Sequence, residues 1–233
     1  MSTTLFTNLD VARSMRQLWE PLSEAQREVL VEQLVVHSYK RHETVFDKGS
    51  QAQSLYYLVK GKVTIYRTGT GDRRQIVQMV SAGSLFGYVP AFRKELRKST
   101  AIADEEAVTA ELPIDMVLGL ICQNNDFAMV FIQTMAGLLE QSVAHTMNIT
   151  QKHIRGRLAE NLLRLRQKYG LKRDNMTLSI YLSRDDLASM SNMTTSNAIR
   201  TISAFVEEGL IALEERHIKF LDVEGLQRVS ELG

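Results

Sequence analysis

Apolar positions in this chain recur with different periods in different stretches. Between residues 55 and 80 they fall in short β-branched or aromatic runs, Leu55–Val59, Val63–Tyr66 and Ile76–Val80, separated by Gly, Lys, Asp and Ser. Runs of that length with turn residues between them predict short antiparallel strands of a sandwich or barrel. Gly61-Lys62 and Gly69-Thr70-Gly71-Asp72 supply the hairpin turns, glycine adopting the positive φ that a side chain resists. Ahead of the strands, Trp19, Leu22, Val29, Leu30 and Leu34 keep helical spacing and predict a helical lead-in, within the first 36 residues, packed on the sheet.

The period lengthens in Asn125–Gln151, which has no proline and one interior glycine and predicts a single long helix. Phe127, Phe131, Thr134, Leu138, Gln141 or Ser142, and His145 recur every three to four residues. That stripe suits a two-stranded helical interface between copies of the chain; a single helix lying on its own sheet is the alternative. His153–Gly156 reads as a hinge, after which Leu158, Leu162, Leu163 and Leu165 face inward from a new helix.

Ser183–Ile211 reads as two short helices around a tight turn. Ser183 caps the first with Asp186 in the capping-box position, and Asn192, tolerant of the left-handed conformation, marks the turn. Thr194 or Thr195 caps the second, which runs to Glu208 before Gly209 stops it. Ala198, Ile199, Ile202, Phe205 and Val206 are expected to face the core, leaving Thr195, Ser196, Asn197 and Arg200 outside. Short hydroxyl and amide groups followed by an arginine one turn later fit the major groove, where Arg grips guanine and Asn pairs with adenine. An ordinary helical hairpin with solvated polar residues is the plainer reading of the same pattern. Two apolar runs then flank the charged tip Glu214–His217, predicting a β-hairpin wing whose Arg216, His217 and Lys219 can reach phosphates.

With those motifs in place, the chain resembles transcription regulators of the cyclic-AMP receptor protein/fumarate-nitrate regulator (Crp/Fnr) family over almost its whole length. The helix-turn-helix carries one half of the resemblance. Residues 37–67, HSYKRHETVFDKGSQAQSLYYLVKGKVTIYR, with SAGSLFG at 81–87 carry the other, and Gly49, Gly61, Gly83 and Gly87 stand at the turn glycines of that family's β-roll. The resemblance implies an α+β chain: an antiparallel β-roll of the cyclic-nucleotide-binding type with its lead-in over 1–125, a dimerisation helix over 126–152 and a winged helix-turn-helix over 153–233. It further implies a homodimer on palindromic double-stranded DNA, with Arg200, Ser196, Thr195 and Asn197 at bases and Ser183, Arg184 and Thr194 at phosphates. RNA polymerase is an implied partner, the loop Leu171–Asn175 lying where some members touch it. Nucleotide-type members carry Glu at the position of Ser196, so a different half-site is expected here.

In the roll, the positions that hold ribose and phosphate in nucleotide-binding members read Tyr88 and Lys98-Ser99, which argues against cyclic AMP, because tyrosine cannot replace the ribose-binding carboxylate and lysine offers only a point charge. Phe86, Gly87, Tyr88, Lys98, Ser99 and, on the long helix, Ser142 are the candidate effector residues. Arg93, Lys94, Arg97 and Lys98 make this segment basic, as an anionic effector or an ordinary solvated face requires.

Composition narrows the picture. Cys122, the only cysteine, argues against an iron–sulfur cluster, which needs several thiolates; it is expected to pack, and with no intramolecular disulfide to form it agrees with a reducing cytoplasm. Five histidines and ten methionines leave haem open as a cofactor, at no diagnostic spacing. No signal-peptide pattern and no apolar run approaching the length of a membrane span are present, so no membrane association is expected. From residue 154 onward 12 Lys/Arg face 11 Asp/Glu, so DNA binding must depend on the placement of Arg155, Arg157, Arg184, Arg200 and Lys219. A cupin-like metalloenzyme is excluded by the lack of any His-x-His pair, and no enzyme activity is expected. The remaining alternative is a signalling protein that binds a nucleotide or other small molecule and uses its winged helix for protein contacts.

Overall fold

The computed structural model describes residues 7–69, 74–214 and 217–232, and of Arg74 and His145 the backbone alone. Thr70, Gly71 and Asp72 of the second expected hairpin turn, and Glu215 and Arg216 of the wing tip, lie outside the described residues. The chain divides into two compact units, Met1–Arg73 with Val77–Leu138, and Arg74–Ile76 with Leu139–Gly233.

The first unit opens with the lead-in helices α1 (Asn8–Ser14), α2 (Arg16–Trp19) and α3 (Glu24–Gln33). The strands β1 (Val35–Tyr39), β2 (Thr44–Phe46), β3 (Ser54–Lys60), β4 (Lys62–Thr68), β5 (Arg74–Ser81), β6 (Leu85–Phe86), β7 (Thr100–Ala103) and β8 (Ala107–Pro113) follow, with α4 (Tyr88–Phe92) between β6 and β7. They form two four-stranded sheets, ordered β1-β8-β3-β6 and β2-β7-β4-β5, the antiparallel roll that the short runs predict.

Strand β3 shows why its sequence, SLYYLVK, is a continuous apolar run instead of an alternating one. Tyr56 and Leu58 face the second sheet in a cluster with Phe46, Val63, Ile65 and Phe86, whereas Leu55 joins Leu30, Leu34 and Leu112 under the lead-in helices. Both faces are buried, so both need apolar side chains. Gly49, Gly61, Gly83 and Gly87 all adopt positive φ, between +70° and +91°. At Gly61 a Cβ would lie 2.5 Å from the Glu106 carbonyl oxygen, so the hairpin admits no side chain. Helix α5 (Ile114–Gln123) leaves Cys122 exposed, contrary to the packing role expected of it.

Helix α6 (Asn125–Gln151) is the long helix, but its faces are assigned differently from the expectation. Phe127 and Phe131 are buried in the roll's own core, edge-on to one another at 5.4 Å, and Leu138 packs against the same cluster. The exposed apolar side is Met129, Ile132, Met135, Leu139, Val143 and Met147. The helix has two apolar stripes, and the larger aromatic one belongs to the roll. Among the described residues α6 is the one helix whose length and apolarity reach those of a membrane span, a consequence of having both stripes.

The second unit contains the end of α6, then α7 (Ile154–Tyr169), α8 (Arg184–Met190), α9 (Thr195–Glu207), β9 (Ile211–Glu214), β10 (His217–Phe220) and α10 (Val223–Leu232). Leu158, Leu162 and Leu165 are buried as expected, and Leu163 is half-buried. Strands β9 and β10 pair antiparallel as the wing. Helix α10 packs on α7 and is the one element of this unit that the periodicity leaves undetected.

Candidate nucleic-acid interface and effector site

The helix-turn-helix is built by local chemistry that the sequence states openly. Ser183 and Asp186 form a reciprocal capping box on α8, the Asp186 N–H donating to Ser183 Oγ at 3.0 Å and the Ser183 N–H to Asp186 Oδ2 at 3.0 Å. Asn192 turns the chain with φ 48°, and Thr194 caps α9 by accepting from the Asn197 N–H. Ala198, Thr201, Ile202 and Phe205 hold α9 to the core. Ile199 and Val206, expected inside, are exposed at 47% and 38%. The inward stripe is narrower than the apolar spacing suggests, because Thr201 fills the next inward position by donating to the Asn197 carbonyl at 2.8 Å.

On the outer side, Thr194, Ser196 and Arg200 are exposed, while Thr195, Asn197 and Arg184 are half-buried. The Thr195 hydroxyl donates to Asp185 at 2.6 Å, and the Ser183 hydroxyl to Asp186 at 2.7 Å, so both are engaged within the motif. Of the five cations on which binding was expected to depend, Arg155 pairs with Glu208, Lys219 pairs with Glu214 at 2.6 Å, and Arg157 is tied to backbone carbonyls. Arg184 and Arg200 have no hydrogen bond or ion pair among the described residues, which leaves their guanidiniums free for an anionic or polar partner. His217 sits at the tip end of β10, paired with Glu214, with its ring 6.4 Å from that of Tyr181.

The roll site departs further from the sequence reading. Phe86 and Gly87 do come together in the interior, but Tyr88 does not: after the left-handed turn at Gly87 the chain enters α4, and Tyr88 is buried among the lead-in helices. Burial there raises its hydroxyl pKa. Lys98 points outward and pairs with Glu95 at 2.8 Å, and Ser99 is half-buried. Arg93 and Lys98 both donate to Glu95 and hold its carboxyl at a pKa of about 2. Ser142 is exposed on α6, its carbonyl accepting from Thr146.

The cation inside the roll is Arg97, which the sequence reading counted only as part of a basic segment. Its backbone is fixed from both sides, Gly49 N–H donating to the Arg97 carbonyl at 2.8 Å and Arg97 N–H to the Ser50 carbonyl at 2.9 Å. Strand-like alternation then sends Leu96 and Lys98 out and Arg97 in. The guanidinium donates to the carbonyls of Ser54 at 2.7 Å and Gly87 at 3.2 Å, and lies 4.2 Å from the Phe46 ring centre and 5.3 Å from that of Tyr56. Phe46, Tyr56 and Phe86 stack on one another around it, with centroids 5.4 to 6.2 Å apart. Burial lowers the Arg97 pKa, and burial with the nearby Glu111 pushes the Tyr56 hydroxyl up to about 12. Arg97 thus places a guanidinium inside the roll, with donors directed at the Ser54 and Gly87 carbonyls. The exposed Leu96 beside a buried arginine inverts the usual hydropathy rule.

A β-roll followed by a long helix and a winged helix-turn-helix defines a DNA-binding transcription regulator. Residues 36–124 match the cyclic nucleotide-binding domain, and residues 156–229 match the Crp-like helix-turn-helix domain. The two matches together take in well over half of the chain, which belongs to the Crp/Fnr family of transcription regulators. A CRP-like cAMP-activated global transcriptional regulator from Mycobacterium tuberculosis is 23% identical over 200 residues, 85% of this chain and 89% of that protein. The Global nitrogen regulator of a Nostoc species is 23% identical over 187 residues, 79% of this chain and 84% of that protein. In fold, the structure of FixK2 from Bradyrhizobium japonicum superposes with a TM-score of 0.73 at 20% identity, over 84% of this chain and 96% of that one. Both sequence relatives are regulators by name.

Proposed function

We propose that the chain acts in the cytoplasm as a homodimer that reads a palindromic promoter site through α9. The observation that carries this is the free guanidinium of Arg200 on the open side of a helix whose other side is locked into the core. Arg200 takes a guanine edge, while Ser196 and Asn197 approach neighbouring bases and Thr195, whose hydroxyl donates to Asp185, presents its oxygen as an acceptor. Ile199, exposed between Ser196 and Arg200, suits the methyl group of thymine. Arg184 and Thr194 meet phosphates, and Ser183 serves them indirectly by holding the first turn of α8. Phosphate contacts position the helix and base contacts select the sequence.

One module reads only a few base pairs, so the second copy matters. The apolar side of α6 that carries Ile132, Leu139, Val143 and Met147 suits a second copy of the same helix, which would withdraw those side chains from water. Two recognition helices related by a dyad then read half-sites about one helical turn apart. In the roll, Arg97 is the anchor for an anionic effector: a buried cation with no ion pair among the described residues, held for now by carbonyls and ring faces. RNA polymerase meets the bound dimer at the loop 171–175, where Lys172 and Arg173 are exposed.

Selection of bound duplexes from a random pool, followed by analytical ultracentrifugation of the free protein, tests the reading. The expected result is an inverted repeat bound by a dimer. A protein that enriches no duplex at low salt, or enriches only a single half-site as a monomer, overturns it.

A further inference from the structure

We propose that Arg157 is a positioning residue for DNA recognition, its guanidinium latching the turn of the helix-turn-helix to the C-terminal end of α6. The inference rests on the DNA-reading role of α9. Arg157 stands in the first turn of α7 and donates to four backbone carbonyls: from Nε to Ser191 at 2.9 Å, from Nη2 to Asn192 at 3.0 Å, and from Nη1 to Ile149 and to Lys152, each at 3.2 Å. Two of those carbonyls close α6 and two belong to the turn between α8 and α9.

The chemistry of these groups explains the arrangement. The last carbonyls of a helix have no partner within it and carry partial negative charge, so the ends of α6 and α8 both favour a cation. A guanidinium has five N–H groups in a fixed plane, and can serve two helix ends at once, which an ammonium on a flexible stem does less directionally. The left-handed Asn192, at φ 48°, belongs to the turn that the latch holds.

Neighbouring residues reinforce both sides of the latch. Glu160 accepts from Asn148 Nδ2 at 2.6 Å and from Lys152 Nζ at 2.7 Å, fastening α7 to the end of α6. Asn161 donates through Nδ2 to the Met190 carbonyl and to Ser191 Oγ, each at 3.0 Å, fastening α7 to the end of α8. Arg164 in turn donates to Asn161 Oδ1 at 2.9 Å and fixes that amide. Among the described residues Arg157 is the single side chain that bonds both ends, so it sets the angle at which α9 is presented relative to the end of the long helix. A dimer reading two half-sites needs that angle to be single-valued, because a recognition helix that swivels loses the register of its partner.

The test measures the angle and the binding separately. In the full chain with Cys122→Ser, spin labels placed at Gln141→Cys and Ser203→Cys, and diluted with unlabelled protein, report one distance across the latch by pulsed electron paramagnetic resonance. A narrow distribution is expected in the parent and a broad one in Arg157→Gln and in Arg157→Lys. Without labels, each variant is expected to bind the selected duplex at least tenfold more weakly. Arg157→Lys keeps the charge and the stem, so it decides the matter if Arg157→Gln does not fold: a lysine variant with parental distance and affinity overturns the latch, as does a broad distribution in the parent. Failure of the parent to select any duplex would instead sink the DNA reading, while the distance measurement still reports on the latch.

Discussion

The roll and the winged helix each place an arginine at the centre of their chemistry, in opposite ways. Arg97 is buried between the sheets, satisfied by two carbonyls and two ring faces; Arg200 is exposed, with no hydrogen bond or ion pair among the described residues. A buried cation is part of the structure that surrounds it, because removing it strands the carbonyls it served. An exposed cation contributes almost nothing to folding and is available for a partner. The contrast teaches that a ligand reaching Arg97 would first have to displace its carbonyl partners, whereas one reaching Arg200 meets no such competition among the described residues.

The contrast can be broken most forcefully in the roll's core. Phe131→Ala removes a ring packed edge-on against Phe92 and Phe127 and is expected to cost about 3–5 kcal/mol in urea unfolding. Ile132→Ala, one residue along on the exposed side of α6, should leave folding within about 0.5 kcal/mol and weaken dimerisation instead. Equal effects of the two on folding would mean the faces of α6 are wrongly assigned. Arg97→Ala deprives the Gly87 and Ser54 carbonyls of their donors and should cost about 3 kcal/mol of stability by the same measurement, with Lys98→Ala within about 0.5 kcal/mol as its control.

Smaller effects are expected at the DNA face. Arg200→Ala should cost about 1–3 kcal/mol on the preferred duplex in a binding titration, with thermal unfolding unchanged. Parental affinity in that variant would remove Arg200 from base recognition. Thr194→Ala deprives α9 of its cap and should cost about 1 kcal/mol of stability, read by the same unfolding curve. A variant as stable as the parent would show that the core contacts of α9 hold it without the cap.

The winged helix was legible almost residue by residue because what makes it is local. Caps, a left-handed asparagine and a terminating glycine each act on backbone within a few residues of themselves, so Ser183, Asp186, Asn192, Thr194 and Gly209 announce the motif without reference to the rest of the chain. The same holds for the turn glycines of the roll. Which basic residue of the segment 93–98 lies inside the roll was not legible, since Arg97 lies next to residues that alternate in and out, and one residue of register exchanges an interior cation for a surface one.

The order of the elements, the roll's turns, the long helix and the helix-turn-helix with its wing were therefore determined by the sequence itself, through contacts between near neighbours. Only the tertiary structure decided which stripe of α6 the roll claims, that Ile199 stays outside, that Arg97 rather than Lys98 occupies the interior, and that Arg157 bridges two helix ends. The burial of Arg97, the roll's claim on α6 and the hold of Arg157 on the turn depend on groups tens of residues apart, and periodicity reports that a face is apolar without saying what will cover it.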